Sequence, residues 1–272
     1  MYEELYEPLP DVDAYLKRIG FTGTPKVNLT TLEQLIYLHQ TAIPFEDIDV
    51  HCRKVPITLA IRELFDKIIL GGRGGYCFEL NCLFYSLLQA LGFTVTPCIC
   101  KVLEGEGPHF IASHRGTIVH LNADCYYCDV GFGGPVPPGP LKFENSTLQT
   151  IGPNRYQFIK CDNSWWELVR INSKIEPVSM LLVNTEPFDP VDYLSMNMIC
   201  SDHNSRHHNR FTDHLVLNIR TADGHASIED DVFTLRIGEK TIRETIDDAR
   251  AHKLCRDVFC ISADLSSIRL IP

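Results

Sequence analysis

Cys77 follows the run Gly71-Gly72-Arg73-Gly74-Gly75-Tyr76. It opens the most regular apolar stripe in the chain, formed by Leu80, Leu83, Phe84, Leu87, Leu88 and Leu91 and ended by Gly92. Glycines let a backbone approach a ligand closely. A helix N-terminus offers unpaired N–H groups and the positive end of its dipole. A thiol placed there is shifted toward its thiolate, the nucleophilic form. The same N–H groups can hold the oxyanion of a tetrahedral intermediate. The bland alternative is a buried structural cysteine beside a glycine turn, and the local sequence weighs the two equally.

A cysteine nucleophile needs a base, and the base needs an orienter. His114, in Ala112-Ser113-His114-Arg115, is placed in the loop before a strand. Asp129, in Cys128-Asp129-Val130-Gly131-Phe132-Gly133-Gly134, is placed at the end of the next strand. An aspartate among apolar strand residues is seldom without a partner, because a lone buried charge is costly. Two adjacent antiparallel strands would bring the pair together. His109 and His120 compete with His114 on spacing, although His120 falls mid-strand.

Other constellations carry different chemistry. Cys98 and Cys100 form a C-x-C, and Cys125 and Cys128 a C-x-x-C. Four thiolates can hold zinc. Here the first pair shares one strand face while the second falls on opposite faces, which disfavours a common ion. The run Asp202 to His208 contains three histidines and reads first as a solvated loop. No metal is expected. Arg18, Glu46 and Arg73 are expected to form a partly buried charge network that orders the Cys77 loop. The alternative is three separate surface charges.

The elements that must position these groups are legible from patterning. Asp11 caps a short helix ending at Gly20. Thr30 and Glu33 form a capping box for a helix carrying Leu32, Leu35, Ile36 and His39, ended by Pro44. Thr58 caps a third helix carrying Leu59, Ile61, Leu64, Phe65 and Ile68, and the Cys77 helix follows. Segments 93–103, 117–122, 124–130, 156–161 and 165–171 are rich in β-branched and aromatic residues, as strands of a barrel or sandwich are. Gly133 to Pro140 reads as a rigid loop. Further strands are expected at 215–220, 232–237 and 240–245, and a helix at 247–254. The order is helices, then strands, then a mixed unit, which makes the fold α+β.

The 272 residues exceed what one compact core usually needs. A net charge of −10 excludes a general nucleic-acid binder, although a local patch can still hold an anionic co-substrate. The N-terminus lacks a basic-then-apolar export pattern, and no run approaches the ~18–20 apolar residues of a membrane span. A cytosolic chain with eleven reduced cysteines is expected, most of them small core hydrophobes.

Arg73-Gly-Gly-Tyr-Cys77-Phe-Glu-Leu-Asn81 resembles the nucleophile motif of arylamine N-acetyltransferases. Tyr15-Leu-Lys-Arg18-Ile-Gly20 is similar to that family's first helix, and Ile43-Pro-Phe-Glu46-Asp-Ile to its Pro-Phe-Glu-Asn segment. Ser113-His114 with Asp129-Val-Gly-Phe-Gly-Gly134 resembles its His and Asp elements. Asp192-Tyr-Leu-Ser-Met-Asn197 resembles the entry to its third domain. The blocks run in family order over nearly the whole chain.

The resemblance implies an N-terminal helical bundle at 1–92, a central antiparallel β-barrel at 93–195 and a C-terminal α/β lid at 196–272. It implies a Cys77–His114–Asp129 triad, related to that of papain-like peptidases. It further implies ping-pong acetyl transfer from acetyl-CoA to small aromatic amines and hydrazines, with acetyl-CoA a co-substrate and no resident cofactor. A related amide synthase with another acyl donor would use the same triad. Tyr76, Ser113 and Phe132 are the expected ring contacts, and Gly131 and Gly133 allow close approach of CoA. Asp47 stands where the family usually has Asn. The segment Met198 to Phe211 is longer than the family norm, in the region that receives the CoA nucleotide in relatives.

Overall fold

The structure, a computed structural model, describes residues 1–103, 110–134, 136–172, 175–204 and 209–271. Helix α1 (Val12–Arg18) starts where the Asp11 carboxylate accepts from the Ala14 N–H, and Gly20 follows with φ +72°. Helix α2 (Leu29–Ala42) starts two residues earlier than the expected box. Its cap is Asn28, whose side chain accepts from the Thr31 N–H at 2.8 Å, while Thr30 lies inside the first turn. An amide one residue outside the helix outcompetes a hydroxyl already committed to helical backbone. Strand β1 (Phe45–Glu46) and the single turn α3 (Ile48–His51) lead to α4 (Ile61–Phe65), which widens into a π turn over Asp66–Leu70. Thr58 lies outside α4, its hydroxyl accepting from the Ala60 N–H.

Helix α5 (Cys77–Ala90) begins at Cys77 itself. Leu80, Leu83, Phe84, Leu87 and Leu88 of its stripe are fully buried, each contributing roughly 1.5–3 kcal/mol, and Leu91 sits half-buried at the rim.

Eight antiparallel strands follow: β2 (Thr94–Val102), β3 (His114–Leu121), β4 (Asp124–Cys128), β5 (Leu141–Lys142), β6 (Leu148–Ile151), β7 (Asn154–Lys160), β8 (Trp165–Asn172) and β9 (Ile175–Asn184). Their order is β5-β4-β3-β2-β9-β8-β7-β6. The two edges are joined through a side chain. The Gln149 amide of β6 donates to the Lys142 carbonyl and accepts from its N–H, both at 2.8 Å. The sheet is thereby nearly closed as a barrel. Its interior holds Cys98, Cys100, Tyr127, Phe158 and Leu181.

Helices α6 (Tyr193–Ser201) and α7 (Arg210–Asp213) lead to β10 (Val216–Thr221), β11 (Gly224–Glu229), β12 (Val232–Ile237) and β13 (Lys240–Thr245), and α8 (Asp248–Asp257) packs on this second sheet. Its outer strand is β1, paired with β10 through Phe45 opposite Asn218. The first third of the chain therefore edges the C-terminal sheet. Among the described residues no helix is long and apolar enough to cross a membrane.

Candidate active site

Three elements converge on one cavity of about 570 Å³, lined by Cys77 from α5, Ser113 and His114 at the head of β3, and Phe132 and Gly133 from the loop after β4. His114 is the first residue of β3, not part of the preceding loop. Its backbone is fixed opposite Cys100 in the ladder. The β3–β4 pairing sets Thr117 opposite Cys128, which carries Asp129 alongside the start of β3.

The His114 Nε2 donates to Asp129 Oδ2 at 2.7 Å, with both side chains buried. That leaves Nδ1 as the ring nitrogen available to the thiol. Asp129 is held on every side. Its Oδ2 also accepts from the Tyr127 hydroxyl at 2.8 Å. Its Oδ1 accepts from Asn81 Nδ2 and from the Gly131 N–H, each at 2.9 Å. Four donors fill the acceptor sites of one carboxylate, so Asp129 can orient and stabilise a charged imidazole but has no room for a proton. Burial alone would raise its pKa. The charge and hydrogen bond of His114, with Asn81 and Gly131, hold it below the ordinary carboxylate value. Burial works against a charged His114, and the Asp129 carboxylate overcomes it, raising the imidazole above its usual value. Burial pushes the Cys77 thiol well up and the Asp129 charge adds to this, while the N–H groups of Phe78 and Cys77 pull it back in part. The thiol therefore needs a proton acceptor beside it to become a nucleophile.

Asn81, Tyr127 and Gln40 were not singled out by sequence reasoning. Asn81 lies four residues after Cys77, one turn along α5, and its amide also accepts from the Val130 N–H. A polar residue in the buried stripe of α5 was the available signal. Gln40 donates to the Asp129 carbonyl at 2.9 Å.

The charge network exists with a different membership. Arg73 binds Glu46 at 2.8 Å and Asp49 at 3.2 Å; Lys67 binds Asp49 at 2.8 Å and Glu79 at 2.7 Å. Glu79 in turn accepts from the Tyr76 N–H at 3.0 Å, directly before Cys77. Arg18 is elsewhere: it donates to the carbonyls of Ala42 and Cys260, tying the end of α2 to the C-terminal segment. Its guanidinium meets these two carbonyls, and Glu46 takes Arg73 instead.

Of the expected ring contacts, Ser113 and Phe132 line the cavity, and the Phe132 edge meets the His114 ring at 5.7 Å. Tyr76 does not line it. It is fully buried and its hydroxyl donates to the Asn197 side chain. Phe45, Phe110, Ile111, Ile199 and Phe211 are among the other apolar residues of its wall. Gly131 packs against α5: a Cβ there would lie 3.1 Å from the Cys77 Cα and the Asn81 amide. Gly133 has φ +75° and lets its loop pass the Phe45 ring. Both described ends of the Met198–Phe211 segment reach the cavity, through Ile199, Cys200, Asn209 and Phe211. His109, His207 and His208 lie outside the described residues, and His203 bonds the Val50 carbonyl. His120 stands apart, between Thr96 and Cys125. Cys98 and Cys100 are inside the barrel while Cys125 is half-exposed, so the four thiols do not face one point.

A second cavity of about 840 Å³ shares Phe45, Phe132, Gly133, Asn218 and Arg236 with the first and so adjoins it. Its walls include Arg170, Arg220, Arg236 and His225, together with Asp223 and Glu239. Burial and then the charges of Arg236, Arg220 and Arg170 hold His225 below its ordinary pKa, which marks a cationic field.

A family model described as N-acetyltransferase matches residues 28–268. This chain belongs to the arylamine N-acetyltransferase family. The arylamine N-acetyltransferase of Mycobacterium tuberculosis strain H37Rv is 37% identical over 153 residues, 54% of each chain. The proansamycin X synthase of Amycolatopsis mediterranei is 36% identical over 158 residues, 57% of this chain and 60% of that one. The aligned part thus spans little more than half the length of these family members. The solved structure of the Mycobacterium marinum arylamine N-acetyltransferase in complex with CoA superposes with a TM-score of 0.84 at 26% identity, covering 92% of this chain and 93% of that one. The family's α+β fold therefore extends over nearly the whole chain.

Proposed function

We propose that this protein transfers an acetyl group from acetyl-CoA to arylamines and arylhydrazines by a ping-pong mechanism through an acetyl-cysteine on Cys77. The observation that carries the reading is the His114 ring, locked by Asp129 through Nε2 at 2.7 Å, in the same cavity as the Cys77 thiol at a helix N-terminus. His114 takes the thiol proton as the sulfur attacks the thioester carbonyl. Asp129 stabilises the imidazolium, and the N–H groups at the head of α5 face the developing oxyanion. CoA leaves as a thiol. The amine then attacks the thioester on Cys77, and His114 accepts its proton. The cationic cleft beside the cavity suits the phosphates of CoA, and the apolar wall suits an aromatic ring. Both described ends of the Met198–Phe211 segment, Ile199–Cys200 and Asn209–Phe211, would frame the donor.

The match to proansamycin X synthase supports a second reading, amide synthesis from a different acyl donor on the same triad. Intact mass after incubation with acetyl-CoA, without amine, separates them. An acetyl adduct on the peptide carrying Cys77 is the expected result. An unmodified protein whose Cys77 also resists iodoacetamide at neutral pH would overturn nucleophilic catalysis. A Cys77 that alkylates but takes no acetyl group would favour the other donor.

A further inference from the structure

Cys200 of α6 is the one other thiol that lines the catalytic cavity among its described residues. Its sulfur and that of Cys77 meet the same atom: the Ser113 carbonyl oxygen lies 3.8 Å from Cys77 Sγ and 3.9 Å from Cys200 Sγ. Both residues are almost fully buried from bulk solvent yet open to the cleft. Burial raises the Cys200 thiol, and the charge of ionised Cys77 adds to this. The protein's other thiols are elsewhere: Cys82, Cys98, Cys100, Cys128 and Cys255 are in packed cores, Cys52 and Cys125 are partly buried, and Cys161 and Cys260 are on the surface.

We propose that Cys77 and Cys200 form a reversible disulfide when the active site meets a hydroperoxide. The inference rests on Cys77 being the nucleophile. In the first step the Cys77 thiolate attacks the distal peroxide oxygen. The O–O bond breaks, an alcohol or water leaves, and Cys77 becomes a sulfenic acid. In the second step the Cys200 sulfur attacks the sulfenic sulfur. An S–S bond forms, the S–O bond breaks, and the Cys200 proton leaves with the hydroxide as water. The bond requires the two sulfurs, which share one carbonyl neighbour, to close to about 2.05 Å. The bond would hold α6 against the head of α5 and block the nucleophile. A dithiol reductant reverses it. Without Cys200 the sulfenic acid has no neighbouring thiol in the cleft and proceeds to the sulfinic acid, which thiols do not reduce.

The test uses the full-length protein treated with hydrogen peroxide, then alkylated with iodoacetamide under denaturing, non-reducing conditions and digested. The expected product is a cross-linked pair of peptides carrying Cys77 and Cys200, lost on adding dithiothreitol. In parallel, acetyl adduct formation from acetyl-CoA is expected to disappear with peroxide and return with dithiothreitol. In Cys200→Ser the expected product is Cys77 sulfinic acid, with no recovery. Sulfinic acid on wild-type Cys77 without the cross-link, or Cys77 linked to any other cysteine, overturns the proposal. The peptide mapping reads sulfur chemistry alone, so it does not depend on the variant folding or on acetyl transfer. A failed acetyl adduct beside an intact cross-link would indict the acetyl donor, not the disulfide.

Discussion

His39 should make this fold acid-sensitive in a pH range where carboxylates are still ionised. The residue is fully buried on α2, its Nδ1 paired with the Tyr15 hydroxyl at 2.8 Å and its ring edge-on to Phe84. Its Nε2 is buried with no hydrogen-bond partner among the described residues. Burial, and then the Arg18 charge, lower its pKa from 6.5 to about 3. The folded pKa is depressed, so between 6.5 and about 3 the unfolded chain binds the proton and the folded chain does not. Stability is therefore lost as pH falls through that window. At pH 5 the loss is 1.5 pH units deep, or about 2 kcal/mol at 1.36 kcal/mol per unit. For a chain of this size that corresponds to roughly 4–8 °C in melting temperature. His39→Gln keeps a polar atom for Tyr15 and cannot be protonated. Melting wild type and variant at pH 7.5 and pH 5.0 gives a double difference in which any constant packing cost cancels. The variant should lose about 2 kcal/mol less than wild type on acidification. Equal losses in both proteins would refute the buried neutral imidazole as the cause.

Three other outcomes follow from the same geometry. Asp47 is buried, accepts from the Val216 N–H at 2.8 Å, and is pushed well above the usual carboxylate range by burial. Its folded pKa is raised, so its cost grows as pH rises above the unfolded value. Asp47→Asn should accordingly stabilise the protein at pH 7 by on the order of 1 kcal/mol, with no gain at pH 3.5 in urea titrations. Arg73→Met takes the cation from Glu46 and leaves Asp49 to Lys67 and Arg53, a change that should cost on the order of 3 kcal/mol and slow Cys77 alkylation, since the network ends on the Tyr76 N–H; a variant that keeps both stability and rate would remove the network from the site. Asp129→Asn removes the charge that raises His114. The pH midpoint of Cys77 alkylation should move down and acetyl transfer fall by roughly 10²–10⁴-fold, with circular dichroism unchanged; an unshifted midpoint would assign it to another group.

What was legible in the sequence was what one element carries by itself. Cys77 at the head of an apolar stripe, the stripe itself, the central strands 94–102 and 165–172, and an aspartate at a strand end are all local patterns. Five strands escaped, and two of them, β1 and β5, are only two residues long. Segment 175–184 holds a proline and exposed residues such as Val178, and the barrel's edge strand 148–151 is half polar; neither shows strict alternation. Strand 224–229 begins with glycine and histidine and is defined by its neighbours, β10 and β12. Strands 175–184 and 224–229 are set by ladders on both sides and strand 148–151 by its ladder to β7, and a single-segment reading has no access to the neighbour.

The same distinction explains the charge network. Glu46 and Arg73 were picked out, and they do pair, but the reading reached for Arg18 as the third member. Charge count and position could not reveal that Asp49, on a single helical turn, and Lys67, on a π turn, point at each other across the Cys77 loop. Lys67 reaches Glu79 only because the π turn widens the helix after Phe65, and Glu79 then reaches back to the Tyr76 N–H. Five acidic and basic side chains thus run from β1 to the residue before Cys77. Glu46 anchors the far end, its second oxygen accepting from the Ile48 N–H, while its own N–H binds the Gly75 carbonyl. Both strands of the Cys77 loop are pinned, one by charge and one by backbone. A buried chain of charges is a poor source of net stability. Its consequence here is geometric: it fixes where α5 begins, and therefore where the thiol sits relative to His114.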